Sequence, residues 1–277
     1  MQLFEKLWNA FNDISFDEPN HRYTDSKNTE YTSVTTWIEQ FKPDENWEEK
    51  AMNSAIHKFK EEGIDVDSIE DETEKKETLE KIKKLAEETK KKWDLGGDYA
   101  RHLGTQVHSC LELLWNRKNY DFDDRLNEQF PDMKEDFLFR KERCKELFKK
   151  LKNIYIPIAN EFIVYDQENK LCGTIDFLAY NKKTNKYAII DWKTSKKFSH
   201  GNYDNITMKA PFEDVVYCNC AEYSLQLSTY KYILEKHTDI KIGEMILFQI
   251  PNKDNPMPQT YKCMDFSDRI KGLFKNG

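Results

Sequence analysis

Three apolar segments in the second half of the chain are separated by short polar groups, and this pattern constrains the fold more than any other feature. NEFIVYD (160–166), LCGTIDFLAYN (171–181) and KYAIIDWKT (186–194) have the length and the β-branched and aromatic content of strands. The separating groups, QENK and KKTN, each have four polar residues, as is typical of hairpin turns. The sequence therefore predicts an antiparallel meander of three strands.

One acid lies on each predicted strand, at intervals of fifteen residues: Glu161, Asp176 and Asp191. With four-residue turns, counting along the strands places these acids opposite one another on one face of the sheet, and Lys193 falls on the same face. Like charges directly opposite each other repel, so we expect a divalent cation with oxygen ligands to neutralise the row. A one-residue slip in either turn removes the alignment, and the acids are then unrelated surface charges at strand ends.

The residues between these acids are apolar, and the alternation predicts that their side chains face the core. They are Ile175, Phe177, Ile190 and Trp192.

Helical patterns surround the meander. The segment after Ser33 or Thr35 reads as a capped helix that stops near Pro43, and an amphipathic helix is predicted over 67–93, with Leu79, Ile82 and Leu85 on its apolar stripe. Further helices are predicted over 97–117, 133–151 and 221–237, and one more strand over 243–250. Without repeats or low-complexity linkers, the chain reads as a single domain over 1–277, mainly helical over 1–152 and built on the sheet over 153–277.

Composition limits the classes of function. The chain has 38% hydrophobic and 34% charged residues, no apolar run long enough to span a bilayer and no secretion signal, so we expect a cytoplasmic protein without a membrane partner. A net charge of −7 indicates that any contact with nucleic acid is local. The six cysteines form no C-x-x-C pair, so neither a disulfide framework nor a zinc site is expected, and Cys218 and Cys220 are interpreted as structural thiols.

GTIDFLAY followed by IIDWKTS resembles the G-x-x-D and D-x-K-T signatures of the PD-(D/E)XK nuclease superfamily, and specifically its RecB-like exonuclease branch. GTQVHSCLE (104–112) resembles the G-T-x-x-H helix motif of that branch, and QLSTY (226–230) its Q-x-x-x-Y motif. SVTTWI (33–38) is similar to a motif of mitochondrial genome-maintenance and phage exonucleases. The resemblance covers roughly 33–250 and implies a restriction-endonuclease-like α/β core: a central mixed sheet that contains the meander, flanking helices and an enlarged helical N-terminal half.

The resemblance also implies a reaction, the hydrolysis of a phosphodiester bond. Asp176, Asp191, His108 and the backbone carbonyl of Trp192 would be metal ligands, and Lys193 would orient the attacking water or stabilise charge on the phosphate. Carboxylates suit Mg²⁺ and imidazole suits Mn²⁺, so either ion is expected.

Other residues have supporting roles under the same resemblance. Glu161 would bind a second metal or tune the first, and Glu112, four residues after His108, would orient the imidazole or be an ordinary exposed helix acid. Gln226 and Tyr230 would hold the catalytic loop or a DNA phosphate, although Tyr230 alone reads as a half-buried core aromatic.

The segment after the third strand is polar. Thr194, Ser195, Lys196 and Lys197 would contact the substrate backbone, although a solvated strand end explains the two lysines equally well. The stretch 198–222 is longer than expected and is interpreted as a DNA-guiding loop, an interface or an insertion. The iron–sulfur cluster of some branch members is not expected, because Cys263 is the only cysteine after Tyr230.

These observations favour a metal-dependent DNA exonuclease of phage type that acts in recombination, repair or genome processing, with a recombination or replication protein as a potential partner. A structure-specific or sequence-specific endonuclease has the same catalytic residues, and a non-catalytic nuclease-fold binding or assembly protein is a third interpretation. Polarity, strand preference, DNA versus RNA and oligomeric state are left open by these motifs.

Overall fold

The computed structural model describes residues 2–17, 20, 22–195, 198–202 and 204–275. The helices are α1 (Gln2–Ala10), α2 (Val34–Ile38), α3 (Trp47–Glu61), α4 (Glu72–Trp115), α5 (Leu126–Gln129), α6 (Met133–Leu151), α7 (Asn219–His237) and α8 (Ser267–Lys275). The strands are β1 (Ile14–Asp17), β2 (Arg22–Asp25), β3 (Glu30–Ser33), β4 (Tyr155–Asp166), β5 (Leu171–Asn181), β6 (Lys186–Lys193), β7 (Ile242–Gln249) and β8 (Gln259–Lys262). In the described part of the chain these strands join in one mixed eight-stranded sheet, which confirms the predicted α/β, restriction-endonuclease-like architecture.

The meander forms with the predicted turns. β4 pairs antiparallel with β5 from Asp166 and Leu171 onward, and β5 pairs antiparallel with β6 up to Asn181 and Lys186. Both turns therefore have four residues, and the register derived from the sequence is confirmed. The hairpin turns determine this register because each one aligns the two strands that it connects.

β4 is longer than predicted, since it begins at Tyr155 rather than near residue 160. Its pairing with β5 continues through a bulge between Pro157 and Ala159. Proline has no N–H to donate to a ladder, and bulges are where strands accommodate it.

The two other neighbours of β5 diverge along its length. β3 pairs parallel with the start of β5, at Leu171 and Cys172, whereas β6 pairs with its second half, from Phe177 onward. Both lie on the edge of β5 away from β4, because β4 pairs with nearly the whole strand. Residues 173–176 of β5 pair with neither of these strands on that edge. The end of β6 has therefore left the ladder with β5 at the position of Asp176.

The rest of the sheet extends beyond β6. β7 lies parallel to β6, and β8 closes the edge in the antiparallel direction. α7 connects β6 to β7 and is buried on most of its surface, in a core shared with α2 and the sheet. Two of its buried hydroxyls are satisfied within the helix: Ser224 donates to the carbonyl of Cys220 at 2.6 Å and Thr229 to that of Leu225 at 2.8 Å.

The predicted cap of α2 is Ser33. Its hydroxyl accepts a hydrogen bond from the backbone N–H of Thr36 at 3.0 Å, and the helix ends before Pro43 in a short 3₁₀ turn. This confirms the first of the two cap residues that the sequence suggested.

The two helices predicted over 67–93 and 97–117 are one helix, α4, so that prediction is wrong. Gly96 and Gly97 lower the helix propensity by about 1 kcal/mol each but do not block helical dihedrals, and the flanking residues favour a helix. The predicted apolar stripe is also narrower than expected, because Ile82 is fully buried whereas Leu79 is 39% exposed.

The chain divides into two compact units, Met1–Pro43 with Leu103–Gly277, and Asp44–His102. The first contains the sheet and α7. The second has α3, the first part of α4 and a small core of its own, formed by Ala51, Ala55, Val66, Ile82 and Ala86. The prediction of a single domain over 1–277, with a change of character near residue 152, stays a prediction.

Several elements had not been predicted, namely β1–β3, β8, α1, α3, α5 and α8. The four strands among them have four residues each, which is too short for a clear alternation pattern. None of the helices in the described ranges is both long and apolar enough to cross a membrane.

In the long stretch 198–222, the described residues Phe198, Met208 and Phe212 pack into the core. Phe212 is fully buried, with ring centroids 5.1 Å from Phe41 and 5.5 Å from Phe266. Its interpretation as a DNA-guiding loop or an interface stays a prediction.

Candidate active site

The three predicted acids lie where β6 leaves β5. The β4–β5 pairs on either side of Glu161 place it across from Asp176, and the β5–β6 count places Asp191 across from Asp176, one step beyond the last pair. The backbone N–H of Trp192 donates a hydrogen bond to Oδ2 of Asp176 at 2.8 Å. The carboxylate of Asp176 therefore takes the place of a backbone acceptor at the point where the ladder ends.

The aromatic residues between the acids are buried, as predicted. The ring of Phe177 stacks on Trp115 of α4 at 4.4 Å and lies 5.7 Å from the ring of Trp192. Ile175 and Ile190 are fully buried as well. This packing fixes the end of α4 that carries His108 against the sheet.

His108 contacts both strands that diverge at the site. Its Nε2 is 2.8 Å from the carbonyl oxygen of Trp192, and its Nδ1 is 3.4 Å from Oδ2 of Asp176. A carbonyl only accepts, so the neutral imidazole that makes the first contact carries its hydrogen on Nε2. The lone pair of Nδ1 then faces a carboxylate oxygen, an arrangement that a cation between the two atoms stabilises.

Ligand atoms of His108, Glu161 and Asp176 all lie within 4.8 Å of one another. One imidazole and two carboxylates are donors suited to Mg²⁺ or Mn²⁺, and their spacing fits a single ion. The residues present therefore fit a divalent metal centre. The sequence had placed Asp191 with His108 and Asp176, whereas this cluster of the described residues contains Glu161.

Glu161 is held in an unusual state. Its backbone φ is 44°, in the left-handed region that non-glycine residues rarely adopt inside a strand, and such strain concentrates at functional sites. The pKa of its carboxyl is raised to about 8. Burial is the main cause, and the negative charges of Asp176, Glu112 and Asp191 add to it. A metal-free site thus keeps one of its acids protonated at neutral pH.

Asp191 and Lys193 form a buried ion pair, with Oδ2 and Nζ 2.7 Å apart and the two side chains 5% and 17% exposed. Burial raises the pKa of Asp191 to about 6, against the lowering effect of Lys193 and with a further increase from Asp176. Burial lowers the pKa of Lys193, but Asp191 and Asp176 outweigh it, and the net pKa lies above its usual value. The two side chains share one face of β6, as predicted.

Glu112 acts on the site through its charge. It lines a cavity of about 440 Å³ together with Glu161 and with Gly104, Thr105 and His108 of α4. The two imidazole nitrogens face the carbonyl of Trp192 and the carboxylate of Asp176. The predicted role of Glu112 in orienting the ring stays a prediction.

Gln226 and Tyr230 are buried under the sheet. Nε2 of Gln226 donates to the hydroxyl of Tyr230 at 3.0 Å, and a Cβ at Gly173 would be only 2.6 Å from the Tyr230 ring. The ring therefore lies directly on the backbone of β5, three residues before Asp176. Tyr230 is 3% exposed and thus more deeply buried than the half-buried core aromatic of the alternative interpretation, and its predicted role at the catalytic loop or a DNA phosphate stays a prediction.

Hydrogen bonds to its backbone carbonyls fix the position of the segment after β6. The carbonyl of Thr194 accepts from the guanidinium of Arg140 at 3.2 Å, and that of Ser195 accepts from Nε2 of Gln249 at 2.7 Å. The hydroxyl oxygen of Ser195 is buried. Lys196 and Lys197, predicted to contact the substrate, lie outside the described residues.

Two residues at the site were not identified from the sequence. Arg140 of α6 is buried and binds the carbonyls of both Thr194 and Ile250. Tyr223 of α7 has its ring centroid 4.2 Å from Nζ of Lys193. Each had a signal: an arginine at a buried position of an amphipathic helix, and an aromatic one turn before Gln226.

Comparison with known proteins gives one family. Residues 77–272 match the model of the PD-(D/E)XK nuclease superfamily, which is more than half of the chain. No curated protein matches the sequence.

Proposed function

The chain belongs to the PD-(D/E)XK nuclease superfamily, and on this basis we propose that it is a metal-dependent DNA exonuclease of the RecB-like branch. The observation that carries the proposal is the convergence of His108, Glu161 and Asp176 beside the buried pair of Asp191 and Lys193. The five sequence motifs in the order of that branch support the exonuclease assignment. We extend the proposal to phage-type recombination, repair or genome processing.

The metal ligands in this proposal are His108, Asp176 and Asp191, with the Trp192 carbonyl, and the geometry adds Glu161 to the set. A bound Mg²⁺ or Mn²⁺ would lower the pKa of a water molecule and neutralise charge on a phosphate. The carboxylates must be ionised to bind a cation, so the raised pKa values of Glu161 and Asp191 make metal affinity increase with pH.

Lys193 is the proposed catalytic cation. Because its pKa is raised, its ammonium stays protonated at neutral pH, and it acts as a hydrogen-bond donor rather than as a general base. A positive charge held in a partly buried site stabilises the charge that develops on a phosphate more strongly than it would in water.

The remaining residues have supporting roles. Gln226 and Tyr230 are proposed to fix the β5 backbone behind Asp176, whereas Thr194 and Lys196 are proposed to meet the DNA backbone. The predicted contact of Ser195 with DNA is not proposed again, because its hydroxyl is buried. Glu112 is proposed to adjust the charge of the metal centre.

The test is incubation of the protein with end-labelled linear DNA and with closed circular DNA, in Mg²⁺, in Mn²⁺ and in EDTA. Metal-dependent loss of linear DNA with intact circles is the expected result. Nicking of circles instead identifies an endonuclease, and an absence of cleavage in both metals identifies a binding protein.

A matched pair of lysine variants controls this test. Lys193→Met is expected to abolish cleavage, whereas Lys186→Met, at the exposed opposite end of the same strand, is expected to keep full activity. Normal turnover by the Lys193→Met protein would refute the assignment of Lys193.

A further inference from the structure

The ammonium of Lys193 contacts two groups from different elements. The Asp191 carboxylate is 2.7 Å away, and the face of the Tyr223 ring has its centroid 4.2 Å away. Tyr223 is the fifth residue of α7, just after its first turn. A cation at this distance over an aromatic face is attracted by the ring quadrupole, and the attraction increases when water is excluded.

The two partners of Lys193 respond differently to a bound metal. If Asp191 is a ligand, its charge is shared between the metal and the ammonium, and its attraction for Lys193 decreases. The face of the aromatic ring has no formal charge, so its attraction for the ammonium does not depend on a carboxylate that a metal would share. A metal bound at Asp191 would therefore weaken the ion pair of Lys193 but not its contact with Tyr223.

We propose that Tyr223 is a positioning residue that holds the Lys193 ammonium at the active site through the face of its ring. This inference rests on the proposed nuclease function, because it assigns a role through Lys193. The sequence motif of this helix contains only Gln226 and Tyr230, and Tyr223 precedes it by one turn on the same helix.

Two substitutions test whether catalysis depends on the aromatic face of Tyr223 or only on the bulk of its side chain. Tyr223→Phe keeps the face of the ring and is expected to retain cleavage within about twofold of the unmodified protein. Tyr223→Leu removes the face and is expected to lower the single-turnover rate roughly tenfold, which is the rate equivalent of a cation–π contact of about 1.4 kcal/mol. The KM for DNA is expected to stay unchanged in both variants.

Fluorinated phenylalanines at position 223 distinguish attraction from packing. Stepwise fluorination weakens the quadrupole while it preserves the shape of the ring, so the rate is expected to decrease with each added fluorine. A fully fluorinated ring that supports the Tyr223→Phe rate would overturn the proposal, since shape alone would then explain the effect.

A second tyrosine on the same helix provides the matched control. Tyr232 also lies under a lysine, with Nζ of Lys236 5.7 Å from its ring centroid, but this pair is not among the active-site residues. Tyr232→Leu is expected to keep the cleavage rate, and thermal unfolding checks that each variant is folded.

The outcomes for this inference and for the proposed function are distinct. An absence of metal-dependent cleavage by the unmodified protein refutes the proposed function, and full activity of Lys193→Met refutes the assignment of Lys193. An inactive Lys193→Met combined with a normal rate for Tyr223→Leu refutes the role of Tyr223 alone, as does a Tyr223→Phe protein as slow as Tyr223→Leu.

Discussion

Replacement of the Glu161 carboxyl by an amide is expected to stabilise the metal-free protein while it weakens the binding of a metal ion. In Glu161→Gln, an uncharged side chain of similar shape replaces the carboxyl whose pKa is raised from 4.5 to about 8. Burial and the neighbouring acids Asp176, Glu112 and Asp191 are the causes of that shift. An amide has no ionised form at these pH values, so none of them destabilises it.

The size of the effect follows from the linkage between protonation and folding. The folded protein keeps a proton on Glu161 between about pH 4.5 and pH 8, whereas the unfolded chain has lost it, so the stability of the unmodified protein decreases as the pH rises through that window. At about 1.4 kcal/mol for each pH unit above 4.5, the penalty at pH 7 is at most roughly 3.5 kcal/mol. For a chain of this size the gain in Glu161→Gln corresponds to an increase in Tm of up to roughly 6–10 °C.

The assay is thermal unfolding at pH 5, pH 7 and pH 8.5, in EDTA and in Mn²⁺. In EDTA the Glu161→Gln protein should be more stable than the unmodified protein, with a difference that grows from pH 5 to pH 8.5. In Mn²⁺ the unmodified protein should gain more stability than the variant, because the metal binds the folded state through the missing carboxylate.

Glu70→Gln is the matched control, because it removes one charge from an exposed position. It should not change the pH dependence. A Glu161→Gln protein that is no more stable than the unmodified protein in EDTA at pH 8.5 would refute the electrostatic reasoning.

Three further outcomes follow from the packing and charges of the fold. Gly173→Ala is expected to destabilise the protein by about 1–3 kcal/mol in urea unfolding, because its Cβ would be 2.6 Å from the Tyr230 ring, whereas Gly104→Ala, whose nearest contact is 3.5 Å, should not. In a double variant with Tyr230→Ala, the penalty of Gly173→Ala should disappear, and a penalty that persists would locate the strain elsewhere. Asp166→Asn is expected to lose about 2–3 kcal/mol at pH 7, because it breaks a buried contact of 2.8 Å with Lys236. Burial raises the pKa of Asp166, but hydrogen bonds from His237, Lys236 and Asn169 outweigh it and depress the pKa far below 3.8, so the difference should shrink as the pH falls below about 4 and Asp166 becomes protonated in the unfolded state.

Local sequence determines the meander and its register. The turns QENK and KKTN join strands of clear alternation, and a four-residue turn between two such strands leaves one register that buries the apolar face. The alignment of Glu161, Asp176 and Asp191 and the shared face of Asp191 and Lys193 follow from that register alone.

Short elements and helix ends were harder to derive. Strands of four residues, such as β1 and β3, have too few positions for a period to appear, and their pairing is decided by the rest of the sheet. The two helices expected around Gly96 and Gly97 are continuous because glycine weakens a helix without ending it.

The sequence by itself determined which acids share a face, because side chains on adjacent strands are related by turn length and by the period of the strand. Only the tertiary structure decided that the ligand atoms of Glu161, His108 and Asp176 lie close enough for one ion, while Asp191 forms an ion pair with Lys193. That choice depends on the separation of β6 from β5 and on the packing of α4 and α7 against the sheet. These are contacts between residues that are distant in the chain, and no local periodicity of the sequence predicts them.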